Sequence, residues 1–140
     1  MTCSLFHPGL LLIFSGLLIP FIHGFKRTLF ILIIPCLSLL SVWSMPFGSD
    51  CSIQYLDYEL ILINLDLLSR LFITVFAITV FTVGLFCCKQ ASSTELSAAY
   101  VYAGGAMSVV LAGDLISLFI FWELMALAST LVIWSAQNEK

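Results

Sequence analysis

The polar residues of this chain are gathered into short clusters, and the apolar stretches between them are long enough to cross a lipid bilayer. From Leu67 to Cys88 the one charged side chain is Arg70, and from Leu115 to Trp134 it is Glu123. A hydrocarbon core about 30 Å thick is crossed by a helix of about 20 residues. Only helices and closed barrels satisfy their backbone polar groups inside it. Composition closes off the soluble alternative, because 9% of the residues are charged where a soluble domain carries about a quarter.

The polar clusters delimit five spans: Leu5 to Phe25, Thr28 to Met45, Leu67 to Cys88, Leu96 to Gly113 and Asp114 to Trp134. The expected fold is all-α, a polytopic transmembrane bundle of about five helices forming one domain over residues 1–140. A short extracytoplasmic loop, Ser49–Asp66, separates helices two and three, and within it Ile53–Leu56 and Glu59–Leu65 can pair as a hairpin. The first run lacks a basic leader and a small-residue cleavage site, so it reads as a retained helix. Lys26, Arg27, Lys89 and Lys140 fall on one side of a five-span bundle. The positive-inside rule makes that side cytoplasmic and places the amino terminus outside. The expected location is a cell membrane of the bacterial inner-membrane kind, with the lipid bilayer as the first partner.

Local signals mark the ends and contacts of these helices. Ser92-Ser93-Thr94-Glu95 has the spacing of a capping box. Asp66 and Asp114 each precede an apolar run, where a carboxylate can cap free N–H groups. Asp114 can alternatively serve an outer vestibule. Asp66 and Arg70 stand one turn apart and can pair. Pro20 and Pro35 each free a carbonyl that neighbouring helices must satisfy. Gly104, Ser108 and Ala112 recur every fourth residue, the small-residue spacing that lets helices approach closely in lipid. With Gly113 at the turn, helices four and five form a tight hairpin that supports Glu123. The five cysteines contain no C-x-x-C pair and read as small packing hydrophobes. His7, His23, Trp43 and Trp134 read as interfacial side chains.

Glu123 carries the chemistry. It lies about 13 Å beyond Asp114 along a helix, near the middle of the hydrocarbon layer, where a carboxylate costs at least about 2.5 kcal/mol. It must face other helices or water, with Ala126 and Thr130 on its side of the helix. Apolar surroundings favour a protonated carboxyl and a nearby cation favours the ionised form, so such a group changes state when its partner moves. That is the requirement for a proton-relay or coupling residue; the bland reading is a protonated glutamic acid bonded to a neighbouring helix. Lys26, Arg27, Arg70, Lys89 and Lys140 all lie near span ends, so a mid-depth cation would come from elsewhere. A net charge of −3 without a basic run gives no support for nucleic-acid binding. No metal-ligand spacing, phosphate loop or nucleophile triad is legible, and no cofactor is expected.

The stretch from Ala112 to Leu127, Ala-Gly-Asp-Leu-Ile-Ser-Leu-Phe-Ile-Phe-Trp-Glu-Leu-Met-Ala-Leu, resembles the fifth-helix segment of the antiporter-like subunits. Those subunits belong to respiratory complex I, membrane-bound hydrogenases and Mrp-type sodium/proton antiporters. Asp66-Leu-Leu-Ser-Arg-Leu-Phe72 is similar to the start of that family's third helix. The Phe-Trp-Glu-Leu-Met form, followed by Ala-Leu-Ala-Ser, is most similar to the D subunit of Mrp antiporters. The resemblance implies that Glu123 matches the family's fifth-helix glutamate, which couples electrostatically to a lysine two helices later. It also implies other membrane subunits as partners, and protons and a monovalent cation as the transported species. Family members have about fourteen helices, so the expectation is an incomplete amino-terminal part of a larger subunit, a transporter component and not itself an enzyme. Two further expectations remain: a proton-pumping subunit of an NADH–quinone oxidoreductase or hydrogenase, and a remnant or small structural membrane protein.

Overall fold

The computed structural model describes residues 7–48, 50–55 and 58–137. Cys3, Leu5, Ser49, Leu56 and Lys140, which enter the readings above, lie outside the described residues. The chain runs α1 (Pro8–Leu18), a 3-10 turn (Ile19–Phe21), α2 (Phe25–Ser44), β1 (Asp50–Tyr55), β2 (Tyr58–Asn64), α3 (Leu67–Cys87), α4 (Ser93–Leu111) and α5 (Leu115–Gln137). The bundle is helical, with one two-stranded antiparallel sheet among the described residues. Three helices, α2, α3 and α5, are long and apolar enough to cross a membrane.

The first helix is shorter than its apolar run. At Pro20 the α-helix tightens into a 3-10 turn, and Gly24 then adopts a positive φ of 68°. That conformation suits glycine, and it starts α2 at Phe25, so Lys26 and Arg27 stand in its first turn. Arg27 donates to Ser93 Oγ at 2.7 Å and to the Cys88 carbonyl at 2.9 Å, fastening α2 to the α3–α4 turn. Ser92 and Glu95 form the capping box of α4.

Helix α4 is the axis of the bundle, with α1, α3 and α5 packed around it. Leu96, Tyr100, Met107 and Leu111 of α4 are buried together with Leu12, Ile31, Val42 and Ile73. The small-residue stripe of α4 makes contact with α1, and α5 packs elsewhere. A Cβ added at Gly104 would lie 2.6 Å from the Gly9 carbonyl oxygen, and one at Gly9 would lie 2.1 Å from Ser108 Oγ. Helix α5 approaches a neighbouring strip of α4 at Gly105, where a Cβ would meet Met125 Cγ at 2.8 Å. The sequence pattern identified a surface for close approach without identifying the helix that uses it.

Pro35 sits inside α2 and is buried. Its missing N–H leaves the carbonyl four residues back, on Ile31, without an intrahelical donor. Tyr100 of α4 supplies one: its hydroxyl donates to the Ile31 oxygen at 2.7 Å. Gly84 of α3 leaves the room, since a Cβ there would lie 2.9 Å from that hydroxyl.

At the other end of the bundle the hairpin lies across the helix termini. β1 and β2 pair from Tyr55–Tyr58 to Asp50–Asn64, with an irregularity between Cys51 and Ser52. The Gly48 N–H closes its base on the Leu65 carbonyl. Two readings change here. Cys51 is disulfide-bonded, so it is not the simple packing residue expected, whereas Cys36, Cys87 and Cys88 are free. Asp66 and Arg70 do not pair. The Asp66 carboxylate accepts the Ser69 N–H at 2.6 Å as the α3 cap. The Arg70 guanidinium donates to the Met45 carbonyl and lies 3.7 Å from the Phe47 ring centre.

Candidate functional site

Helix α5 holds the candidate residue, and the hairpin fixes where α5 begins. The Asp114 carboxylate accepts hydrogen bonds from the Ile116 and Ser117 N–H groups at 2.8 Å. It also accepts the Ser117 hydroxyl and the Ile61 N–H, both at 2.7 Å. Asp114 is therefore the cap of α5 and a tie to β2 at once. The Gly113 N–H donates back to the Ile61 carbonyl at 2.9 Å, so the α4–α5 turn extends the edge of β2. Burial pushes the Asp114 carboxyl up, but the bonds from Ser117, Ile61 and Ile116 outweigh it and hold the group below its ordinary value.

From this fixed start Glu123 stands about 13 Å along α5, on a face that the other four helices leave uncovered. It is exposed, as are Trp122, Ala126, Leu127 and Thr130. The buried side of α5 carries Ser117, Phe121 and Ala128 instead. Glu123 and the α4 stripe thus belong to different surfaces: Gly104 and Ser108 press on α1, while Glu123 points away from the bundle. Ala112, the third residue of the stripe, is half-buried where α4 ends. An apolar carboxylate-bearing face with Ala126 and Thr130 beside the acid has the relief that a further helix could fill closely.

A second surface feature lies on the adjacent side of α5. A cavity of about 580 Å3 opens between α3, α4 and α5, lined among others by Phe76, Val80, Ala103, Met125, Ser129 and Ile133. Its wall is apolar, and Glu123 is not part of it.

His7 is a functional candidate that its expected interfacial position concealed. It is 7% exposed and lies where α1, β2 and α5 meet. Its Nδ1 accepts the Leu10 N–H at 3.2 Å, capping α1. Its Nε2 stands 3.2 Å from the Leu62 carbonyl, and its ring stacks on Phe121 at 5.8 Å between centres. The signal was present: proline favours the first helical position, so Pro8 marks the residue before it as a cap. His23, by contrast, is exposed at the opposite end of the bundle.

No known protein family, curated protein or solved structure matches the chain. Among the described residues no group of three or more His, Cys, Asp or Glu side chains is gathered as a metal site.

Proposed function

We propose that this chain forms the first five helices of an ion-translocating membrane subunit of the Mrp antiporter type. In this reading Glu123 tunes the proton affinity of a buried lysine that another polypeptide supplies. The observation that carries it is the place of one carboxylate: mid-helix on α5, on a face that the remaining helices leave open. A carboxylate left there against lipid costs at least about 2.5 kcal/mol, and a cationic helix laid over Ala126 and Thr130 removes that cost. The resemblance of residues 112–127 to the family's fifth helix points to the same group.

The proposed orientation places the hairpin outside. Disulfides persist in oxidising compartments and thiols in reducing ones. Cys51 of the hairpin is oxidised, whereas Cys87 and Cys88 at the opposite end are free thiols. Lys26, Arg27 and Lys89 share that thiol end, as the positive-inside rule requires of the cytoplasmic side.

The test is Glu123→Gln in the membrane complex reconstituted in vesicles, with cation-dependent proton flux as the readout. Loss of flux with an intact complex is the expected result, and undiminished flux removes the role. The same vesicles given a quinone and a reductant separate an antiporter from a redox-driven pump.

A further inference from the structure

We propose that His7 is an acid-sensitive clasp: while neutral it fastens the start of α1 to β2 and to α5, and proton uptake from the hairpin side opens it. The proposal stands on hydrogen-bond geometry and does not depend on the transport reading.

A carbonyl cannot donate, so the contact with Leu62 requires a proton on Nε2. A backbone N–H cannot accept, so the bond from Leu10 requires a bare Nδ1. Both contacts are satisfied by one species alone, the neutral Nε2–H imidazole. A second proton would land on Nδ1 and face the Leu10 N–H, donor against donor. It would also create a cation in a site that is 7% exposed and packed against Phe121. Burial holds the imidazole below its ordinary value of 6.5, and the Leu62 bond offsets part of that effect.

The surrounding elements offer the imidazolium no free carboxylate among the described residues. Asp114 has its oxygens taken by four donors. Glu59 of β2 accepts the Ser52 hydroxyl, and Asp66 accepts the Ser69 N–H. Asp50 begins β1, where it pairs with Asn64 at the far edge of the hairpin. Glu123 faces away across α5, and Glu95, Tyr100 and Tyr102 lie toward the other end of α4.

The sign follows from linkage. A buried neutral histidine binds fewer protons when folded than when unfolded, so its stabilising contribution is complete above the unfolded value of 6.5 and is lost as pH falls below it. The Asp114 tie on the same strand behaves differently, because its carboxyl is held below 3.8. Phe121, the ring on which His7 stacks, stands two residues before Glu123, so the clasp bears on the helix that carries the acid.

The experiment is hydrogen exchange on the full chain in phospholipid nanodiscs at about pH 7.5 and about pH 5, corrected for the intrinsic effect of pH. Amides at the start of α1 (Leu10, Leu11) should exchange about tenfold faster at the lower pH, while those of Ile61 and Gly113 stay protected. His7→Asn caps Leu10 without titrating and should abolish the step. Equal exchange at both pH values, or a step that survives in His7→Asn, overturns the proposal. Should that variant not fold, nitrogen NMR of a His23→Gln chain reads the His7 ring directly. The Nε2–H tautomer must persist on passing below pH 6.5; an imidazolium already formed there, or an Nδ1–H tautomer, overturns it as well.

Discussion

Helices α4 and α5 are neighbours with opposite relations to the rest of the molecule. Helix α4 is packed on several sides: nearly half of its residues are buried, small side chains admit α1, and Tyr100 reaches across to α2. Helix α5 is not, because one side packs on α4 while Trp122, Glu123, Leu127 and Thr130 are left outside. The contrast teaches that similar small residues have different meanings on the two helices. On α4 they hold α1; on α5 they lie on a face that no other described helix covers.

The comparison breaks most clearly under added volume. Gly104→Val should cost the folded bundle about 3 kcal/mol, the upper end of overpacking, because the added atoms meet the Gly9 carbonyl and the Ile13 N–H. Ala126→Leu should stay within about 0.5 kcal/mol and, under the proposed function, prevent co-purification with other subunits. Unfolding in detergent measures both, and equal losses would dissolve the distinction between the helices.

A smaller effect is expected where α5 is tied down. Asp114→Ala should cost about 1–2 kcal/mol as a lost helix cap. The folded-state carboxyl lies below 3.8, so wild type should keep its advantage above that value and lose it as pH falls through the folded one. A stability difference that vanishes near neutral pH would contradict the hydrogen-bond pattern.

A further loss tests how α4 serves α2. Tyr100→Phe leaves the Ile31 carbonyl without its donor and should cost about 1 kcal/mol. In a Pro35→Ala background the restored N–H takes over that carbonyl, so the same change should cost less. A double-mutant cycle without coupling would detach the tyrosine from the proline.

What the sequence made legible was local. Ser92, Asp66 and Asp114 cap the helices they precede because a cap needs partners only three or four residues away. The hairpin was expected over Ile53–Leu56 and Glu59–Leu65, and its described strands run Asp50–Tyr55 and Tyr58–Asn64. What stayed hidden depends on distant contacts. Small residues at every fourth position do not say which helix will meet them, so α1 was missed as the partner of Gly104. Because α5 is apolar on all sides, its pattern could not tell which way Glu123 faces relative to the other four helices. The second bond of Asp114, to Ile61 across 53 residues, has no local trace, and neither does the reach of His7 to Leu62.

The attachment of β2 to the α4–α5 turn also orders the making of the molecule. A ribosome delivers the strand long before Gly113 and Asp114, so its outer edge is made before its partner. While α3 and α4 are being made, that edge is open to any passing extended segment. The lid over the bundle is therefore shut last, by the turn that admits α5.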